Sequence, residues 1–296
     1  MKRLKLGISR KDQYAIDGKQ AASPRDAYVI EPSPGWKLID FRELWKYREL
    51  SFFLVWREIK GRYAQSILGV GWAVIQPVAY MIVFSVVFGN LLDVDSDGVP
   101  YAVFSYTALV PWIFFSQGLT GAAGSLTANR GLFSKVYFPR LILPLSAVLA
   151  RLVDFAIAFL LVFALMAWFG MTPTIWVLIA PLLIVLMLLT AAGLGMWLTA
   201  LAIQYRDINF GLAFAVQLMM YTTPVVYSVS AIPDRFRLIY SLNPMVGVIE
   251  GFRSALLNTN PMPWDLLVTG SIGAVVALVT GALYFRRMER IFADVA

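Results

Sequence analysis

Arg151 and Asp154 stand three residues apart inside the apolar run 143–169, close enough to pair on one face of a helix. A charge at membrane depth marks either a functional site or a pair turned into the bundle. A lone carboxylate facing a cavity would point to proton coupling. Here an arginine neutralises it, so we read a structural pair. A second set of residues combines aromatic rings with amides. Gln76, Tyr80, Phe84 and Phe88 share one helical face, and Gln217 and Tyr221 share another, with Tyr227 beyond. Tyr106, Trp112, Phe115 and Gln117 add to the set from the second apolar run. Rings stack on sugar faces and amides meet hydroxyls, which suits a carbohydrate chain that must slide. The same rings also fill membrane cores and gather at interfaces, and the spacing leaves both readings open. A third set, Asp93-Val94-Asp95-Ser96-Asp97-Gly98, repeats the first half of a calcium loop. Phe104 stands where that loop needs its bidentate Glu, so we read an acidic turn ended by Pro100.

Absences narrow the chemistry further. The chain has no cysteine and no histidine, which excludes disulfides, thiol nucleophiles, Cys/His metal sites and histidine proton relays. It also lacks a Gly-x-x-x-x-Gly-Lys-Ser/Thr phosphate loop, so nucleotide-driven work would need another subunit to bind the nucleotide. We expect no enzyme activity, no metal and no cofactor bound by this chain.

The elements that must position these groups are membrane helices. Of 296 residues 59% are hydrophobic and 15% charged, more apolar surface than a soluble domain of this size can cover. Six runs of about twenty residues, the length of a bilayer span, fall at 70–88, 103–123, 143–169, 176–203, 208–226 and 266–285. Fourteen of the 25 Lys+Arg precede Gly69. Arg130, Lys135, Arg140, Arg206, Arg286, Arg287 and Arg290 fall on the same side of an even count of spans, and Asp93, Asp95 and Asp97 on the other. By the positive-inside rule both termini are cytoplasmic. The basic leader suits an anionic leaflet, not a nucleic acid, and it has no apolar core of a signal peptide.

Three segments sit outside simple spans. Residues 1–39 read as a polar cytoplasmic tail, 40–66 as an amphipathic helical region and 67–296 as the transmembrane domain. In the helical region Phe52, Val55, Trp56, Ile59 and Tyr63 follow helical spacing while Arg57, Glu58, Lys60 and Arg62 point elsewhere, which suits a helix at the headgroup boundary. Residues 227–264 are too long for a turn and too apolar for a solvated loop. The Asn243-Pro244 break splits them into two short helices, around 236–242 and 245–257, which we read as partly re-entrant on the outer face. Between spans two and three, the basic segment 128–143 carries Leu132, Phe133, Val136 and Tyr137 on an apolar face that would lodge in a groove of a cytosolic partner.

Taken in order, these pieces resemble a known family. Trp56-Arg57-Glu58-Ile59-Lys60-x-Arg62-Tyr63, then Leu68-Gly69-x-x-Trp72 and Gln76-Pro77, are similar to the opening of the ABC-2 type permeases of polysaccharide-exporting ABC transporters. Lys135-Val136-Tyr137-Phe138-Pro139-Arg140 with Pro144, Tyr205-Arg206-Asp207, Pro224-Val225-x-Tyr227, Leu242-Asn243-Pro244-Met245 and Ile249-Glu250-Gly251-Phe252-Arg253 follow in that family's order. The chain most resembles the O-antigen (Wzm-like) branch, with capsule and teichoic-acid permeases as close relatives. The resemblance implies an all-α polytopic inner-membrane protein of about six transmembrane helices. It would work as a homodimer above a dimer of ABC ATPase subunits that bind ATP and Mg.

A polyprenyl-linked glycan would pass outward through the dimer along Gln76, Tyr80, Phe84, Phe88, Tyr106, Gln217, Tyr221 and Tyr227. By the same likeness Leu132, Phe133, Lys135, Val136, Tyr137, Phe138 and Arg140 would form an ATPase-coupling helix. Asn243, Pro244, Glu250 and Arg253 would belong to an exit gate. Trp56, Arg57, Lys60 and Arg62 lie on the interface helix, and we nominate the three cations to meet the lipid pyrophosphate. Rival readings are an ABC-2 exporter of a drug or small lipid, a membrane-embedded glycosyl- or phosphotransferase, and an ion-coupled secondary transporter. The last two lack, respectively, clustered carboxylates or metal ligands, and an intramembrane relay or matched inverted repeats.

Overall fold

The computed structural model describes residues 41–133, 138–205 and 207–289, and among them there are helices and turns but no strand. In chain order the helices are α1 (Phe41–Lys46), α2 (Arg48–Tyr63), α3 (Trp72–Phe84), α4 (Tyr101–Ala128), α5 (Arg130–Phe133), α6 (Ile142–Leu149), α7 (Arg151–Trp168), α8 (Ala180–Gln204), α9 (Asp207–Thr222), α10 (Asp234–Ser241), α11 (Pro244–Leu257) and α12 (Trp264–Met288). Five continuous helical stretches are long and apolar enough to cross a membrane: Gly69–Leu91, Tyr101–Ala128, Ile142–Trp168, Ile175–Gln204 and Trp264–Met288. They match five of the six expected runs to within a few residues. The other run is α9, whose 16 residues rise only about 24 Å, less than a bilayer core needs.

The helices do not share burial equally. In the most apolar part of α4, 78% of residues are buried, against 11% for Gly69–Leu91. α4 is therefore the central stave, touching α3, α6, α7, α8 and α11. An aromatic ladder fixes one side of it, with Phe114 meeting Phe155, and Phe155 and Phe159 both meeting Phe252 of α11. α8 and α12 meet more closely than side chains would allow. A Cβ on Gly193 would lie 2.5 Å from the Leu278 nitrogen, and one on Gly281 would overlap the Gly193 carbonyl. α3 keeps Ile82, Val83 and Val86 of its stretch exposed, and α9 buries only Leu212.

α2 is set by a smaller core of its own. Leu54, 2% exposed, belongs to one buried cluster with Leu126 of α4, Leu141 just before α6, Met196 of α8 and Phe285 of α12. Phe52, Phe53 and Trp56 remain on the outer side, where a helix lying at a headgroup boundary needs its rings. The chain then turns sharply. Gln65 and Gly69 take positive φ (60° and 48°), and the Ser66 hydroxyl accepts from the Gly69 N–H at 3.0 Å. That corner brings the end of α2 against the start of α3.

Residues 227–264 do form two short helices, α10 and α11, split at the Asn243-Pro244 break. Asn243 caps α11 by accepting from the Met245 N–H at 3.1 Å, and Pro244 fills the first turn, where its missing N–H loses nothing. Every residue of α11 from Met245 to Leu257 is buried.

Candidate functional site

At the corner between α2 and α3 lies a cavity of about 340 Å³, bounded by α2, α3, α4 and α7. Its polar wall is one connected network. From α2, Arg62 and Tyr63 both donate to the carboxylate of Asp154 on α7. Arg151, one turn earlier on α7, stands 3.6 Å from the same carboxylate and donates to Gln117 Oε1 on α4 at 2.8 Å. Gln117 Nε2 in turn donates to Gln76 Oε1 on α3 at 2.9 Å. Burial, together with the Asp154 carboxylate, pushes the Tyr63 phenol above its ordinary pKa, so it stays a donor. The cavity's charges are two guanidinium groups against one carboxylate. Arg62 Nη2 and Arg151 Nε are buried with no hydrogen-bond partner among the described residues.

This corrects the reading of Arg151 and Asp154 as a self-contained pair. The nearest cation to Asp154 is Arg62, 92 residues away in sequence, and Arg151 is turned mainly to Gln117. Of the three cations nominated on α2, only Arg62 lines the cavity. Arg57 donates to Asn129 at the end of α4, tying α2 to the bundle, and Lys60 is exposed. Trp56 is exposed on the outer side of α2.

The aromatic and amide residues divide. Gln76 belongs to the cavity network. Tyr80 on α3 and Gln217 and Tyr221 on α9 are exposed, and Phe88 is half-buried. Phe84 is buried in the core, and Tyr106 is fully buried with its hydroxyl donating to the Ala158 carbonyl at 3.1 Å. Tyr106 and Phe84 therefore pack the bundle and face no path within this chain, a correction that follows from their position on α4 and on the inward side of α3. Tyr227 bonds through its hydroxyl to Tyr240 and to the Tyr221 carbonyl, and burial pushes both phenols up.

The residues expected at an exit gate form a fixed clamp. Arg253, fully buried, donates to Glu250 at 2.8 Å, to the Val225 carbonyl at 2.9 Å and to the Tyr227 carbonyl at 3.0 Å. Its guanidinium also lies 3.6 Å from the Phe104 ring centroid. Asn243, besides capping α11, donates to Thr223 at 3.0 Å, and Pro244 backs against Gly270 of α12. Nearby, Asp97 accepts from Ser228 at 2.6 Å, Ser230 at 3.1 Å and Asn260 at 2.9 Å, joining three loops. The acidic turn thus has a structural task, with Asp97 joining the loops and Asp95 accepting from the Asp97 N–H at 3.0 Å.

In the expected coupling segment, Lys135, Val136 and Tyr137 lie outside the described residues, as does the side chain of Phe133. Leu132 is half-buried against the smaller core. Phe138 is 3% exposed, and Arg140 donates to the Glu289 carbonyl at 3.0 Å. Phe138 and Arg140 anchor the segment to its own bundle. The sequence places Gln117 in the aromatic and amide set of the second span but carries no signal for its bonds to Gln76 and Arg151 or for the Arg62–Asp154 link, because these depend on which helices become neighbours.

Known proteins are similar in sequence to this chain over most of its length. A family model described as ABC-2 type transporter matches residues 49–257. The chain is 30% identical over 251 residues to an O-antigen export system permease protein RfbA of Myxococcus xanthus, covering 84% of this chain and 96% of the relative. It is 27% identical to an O-antigen export system permease protein RfbA of Klebsiella pneumoniae, covering 81% and 92%. A polysialic acid transport protein KpsM of Escherichia coli is 22% identical, covering 68% and 78%.

Proposed function

We propose, for a chain that belongs to the ABC-2 type transporter family, that it is the permease subunit of an ATP-driven exporter and moves a polyprenyl-linked, O-antigen-like polysaccharide out of the cytoplasm. The observation that carries this reading is the likeness, over 84% and 81% of this chain, to permeases named for O-antigen export. The likeness to a polysialic acid transport protein favours a capsule-type glycan as the second reading. In the proposed assembly two copies of the chain sit in the inner membrane with both termini cytoplasmic. The sparsely buried α3 and α9 line the space between them, with Tyr80, Gln217 and Tyr221 toward the glycan. α9 with the residues that follow it would serve as the sixth crossing, and α10 and α11 as the re-entrant pair on the outer face.

ATP and Mg belong to an ATPase dimer beneath, reached through Lys135, Val136 and Tyr137. Leu132, Phe138 and Arg140 hold that segment to the bundle. α2 would pass movement of the ATPase to the spans through Arg57, Arg62 and Tyr63. Deleting the chain in its host should remove surface polysaccharide and leave lipid-linked glycan inside the cell. Reconstituted alone, the chain should neither hydrolyse ATP nor move glycan, and adding its ATPase should restore both. Unchanged surface glycan in the deletion strain would refute the proposal.

A further inference from the structure

The network at the foot of α2 is short of acceptor atoms. Asp154 offers two oxygens to Arg62, Tyr63 and Arg151, and two guanidinium nitrogens stay unpaired in a buried setting. Unpaired donors on a buried cation are costly, so an entrant with more acceptor oxygens than Asp154 offers is favoured here. The adjoining cavity has room for it at about 340 Å³. Phosphate oxygens fit a guanidinium fork in pairs and bring negative charge to two arginines that otherwise face Asp154 and, less directly, Glu58.

We infer that this cavity binds the phosphate group of a diphosphate, with Asp154 as a resident competitor that gives up Arg62 and Arg151 when the diphosphate enters. The exchange also loosens the end of α2 from α7, because Arg62 is one of its two ties to Asp154 and only Tyr63 then remains. The inference deepens the proposed function, since a polyprenyl-linked glycan carries such a group. It narrows the recognising cations from Arg57, Lys60 and Arg62 to Arg62 and Arg151.

The test uses the full chain, co-purified with its ATPase subunit, and three probes: geranylgeranyl diphosphate, geranylgeraniol and inorganic pyrophosphate. Binding is read by thermophoresis. The prenyl diphosphate should bind at least about tenfold more tightly than the alcohol, the scale of a lost charged hydrogen bond. Arg62→Gln and Arg151→Gln should each weaken it by about tenfold or more, while Asp154→Asn should strengthen it several-fold and Arg48→Gln should leave it unchanged. Inorganic pyrophosphate following the same order of variants places recognition in the headgroup alone. If it does not bind, the site belongs to the lipid form. Both results support a phosphate site.

A network that only holds helices together makes all three network variants behave alike. Weaker binding in Asp154→Asn, or no preference for diphosphate over alcohol, overturns the inference. Should a Gln variant fail to fold, Arg62→Lys and Arg151→Lys keep the charge without the fork, and undiminished binding in both overturns it equally. Glycan export, scored separately in cells, tells the two claims apart. Export intact in a variant without diphosphate binding removes the site alone. Diphosphate binding in a chain whose deletion leaves surface glycan unchanged removes the proposed function alone.

Discussion

Glu250–Arg253 and Arg151–Asp154 are both arginine–carboxylate pairs three residues apart on a helix. Arg253 Nη1 is 2.8 Å from Glu250, whereas Arg151 Nη1 is 3.6 Å from Asp154 and is drawn instead to Gln117. The first pair is sealed: Arg253 is 0% exposed, and two loop carbonyls and an aromatic face use up most of what its guanidinium offers. The second is 20% and 15% exposed at its side chains, borrows Arg62 and Tyr63 from another helix, and opens on a cavity. Identical spacing thus produces a bolt in one place and an exchangeable contact in the other. The difference lies in how many partners the surrounding helices supply.

The largest test of that contrast removes the bolt. Arg253→Ala strands Glu250 in the interior and should cost about 3–5 kcal/mol, the range for breaking a buried pair, seen as loss of folded protein or a large drop in melting temperature. A fall of under about 1 kcal/mol would mean that the pair is not the clamp described. Next in size, Gly193→Val forces a branched side chain into the backbone of α12 and should destabilise by about 1–3 kcal/mol or more by the same assay. Asp97→Ala deprives three donors of their acceptor and should cost about 1–3 kcal/mol, with faster proteolysis at 228–230 as the local readout. Smallest is Asp154→Asn, which keeps one acceptor oxygen beside partly exposed arginines and should cost about 1–2 kcal/mol, clearly less than Arg253→Ala. If it proves as damaging as Arg253→Ala, the two pairs are alike and the contrast fails.

Much of this architecture was legible from hydropathy alone, because lipid solvent forces long apolar helices and lets charge appear only where something pairs it. The boundaries of Gly69–Leu91 and Tyr101–Ala128 came within a few residues of the runs read from sequence. The Asn243-Pro244 break was visible because a capping Asn before a Pro has one local meaning. What could not be read is which faces meet. Tyr106 shares helical spacing with Gln117, yet α4 is so deeply enclosed that the tyrosine became core and the glutamine a network member. Glu250 and Arg253 are read from the family resemblance as part of an exit gate. Only the loop 225–227, folding over them, makes them immobile. α9 was overestimated because apolar residues continue to Val226 after the helix has ended at Thr222.

The glycine contact between α8 and α12 has a mechanical meaning. Helices that meet through side chains can slip in steps as rotamers change, the usual basis of shear. Where backbone rests on backbone, as at Gly193 and Gly281, there are no rotamers to change, so these two helices must travel as one plate. Any opening of the protein has to occur elsewhere. The stretch Gly69–Leu91 is the natural hinge leaf, with Pro77 interrupting its hydrogen bonds and a widened π-helical turn at Ser85–Leu91.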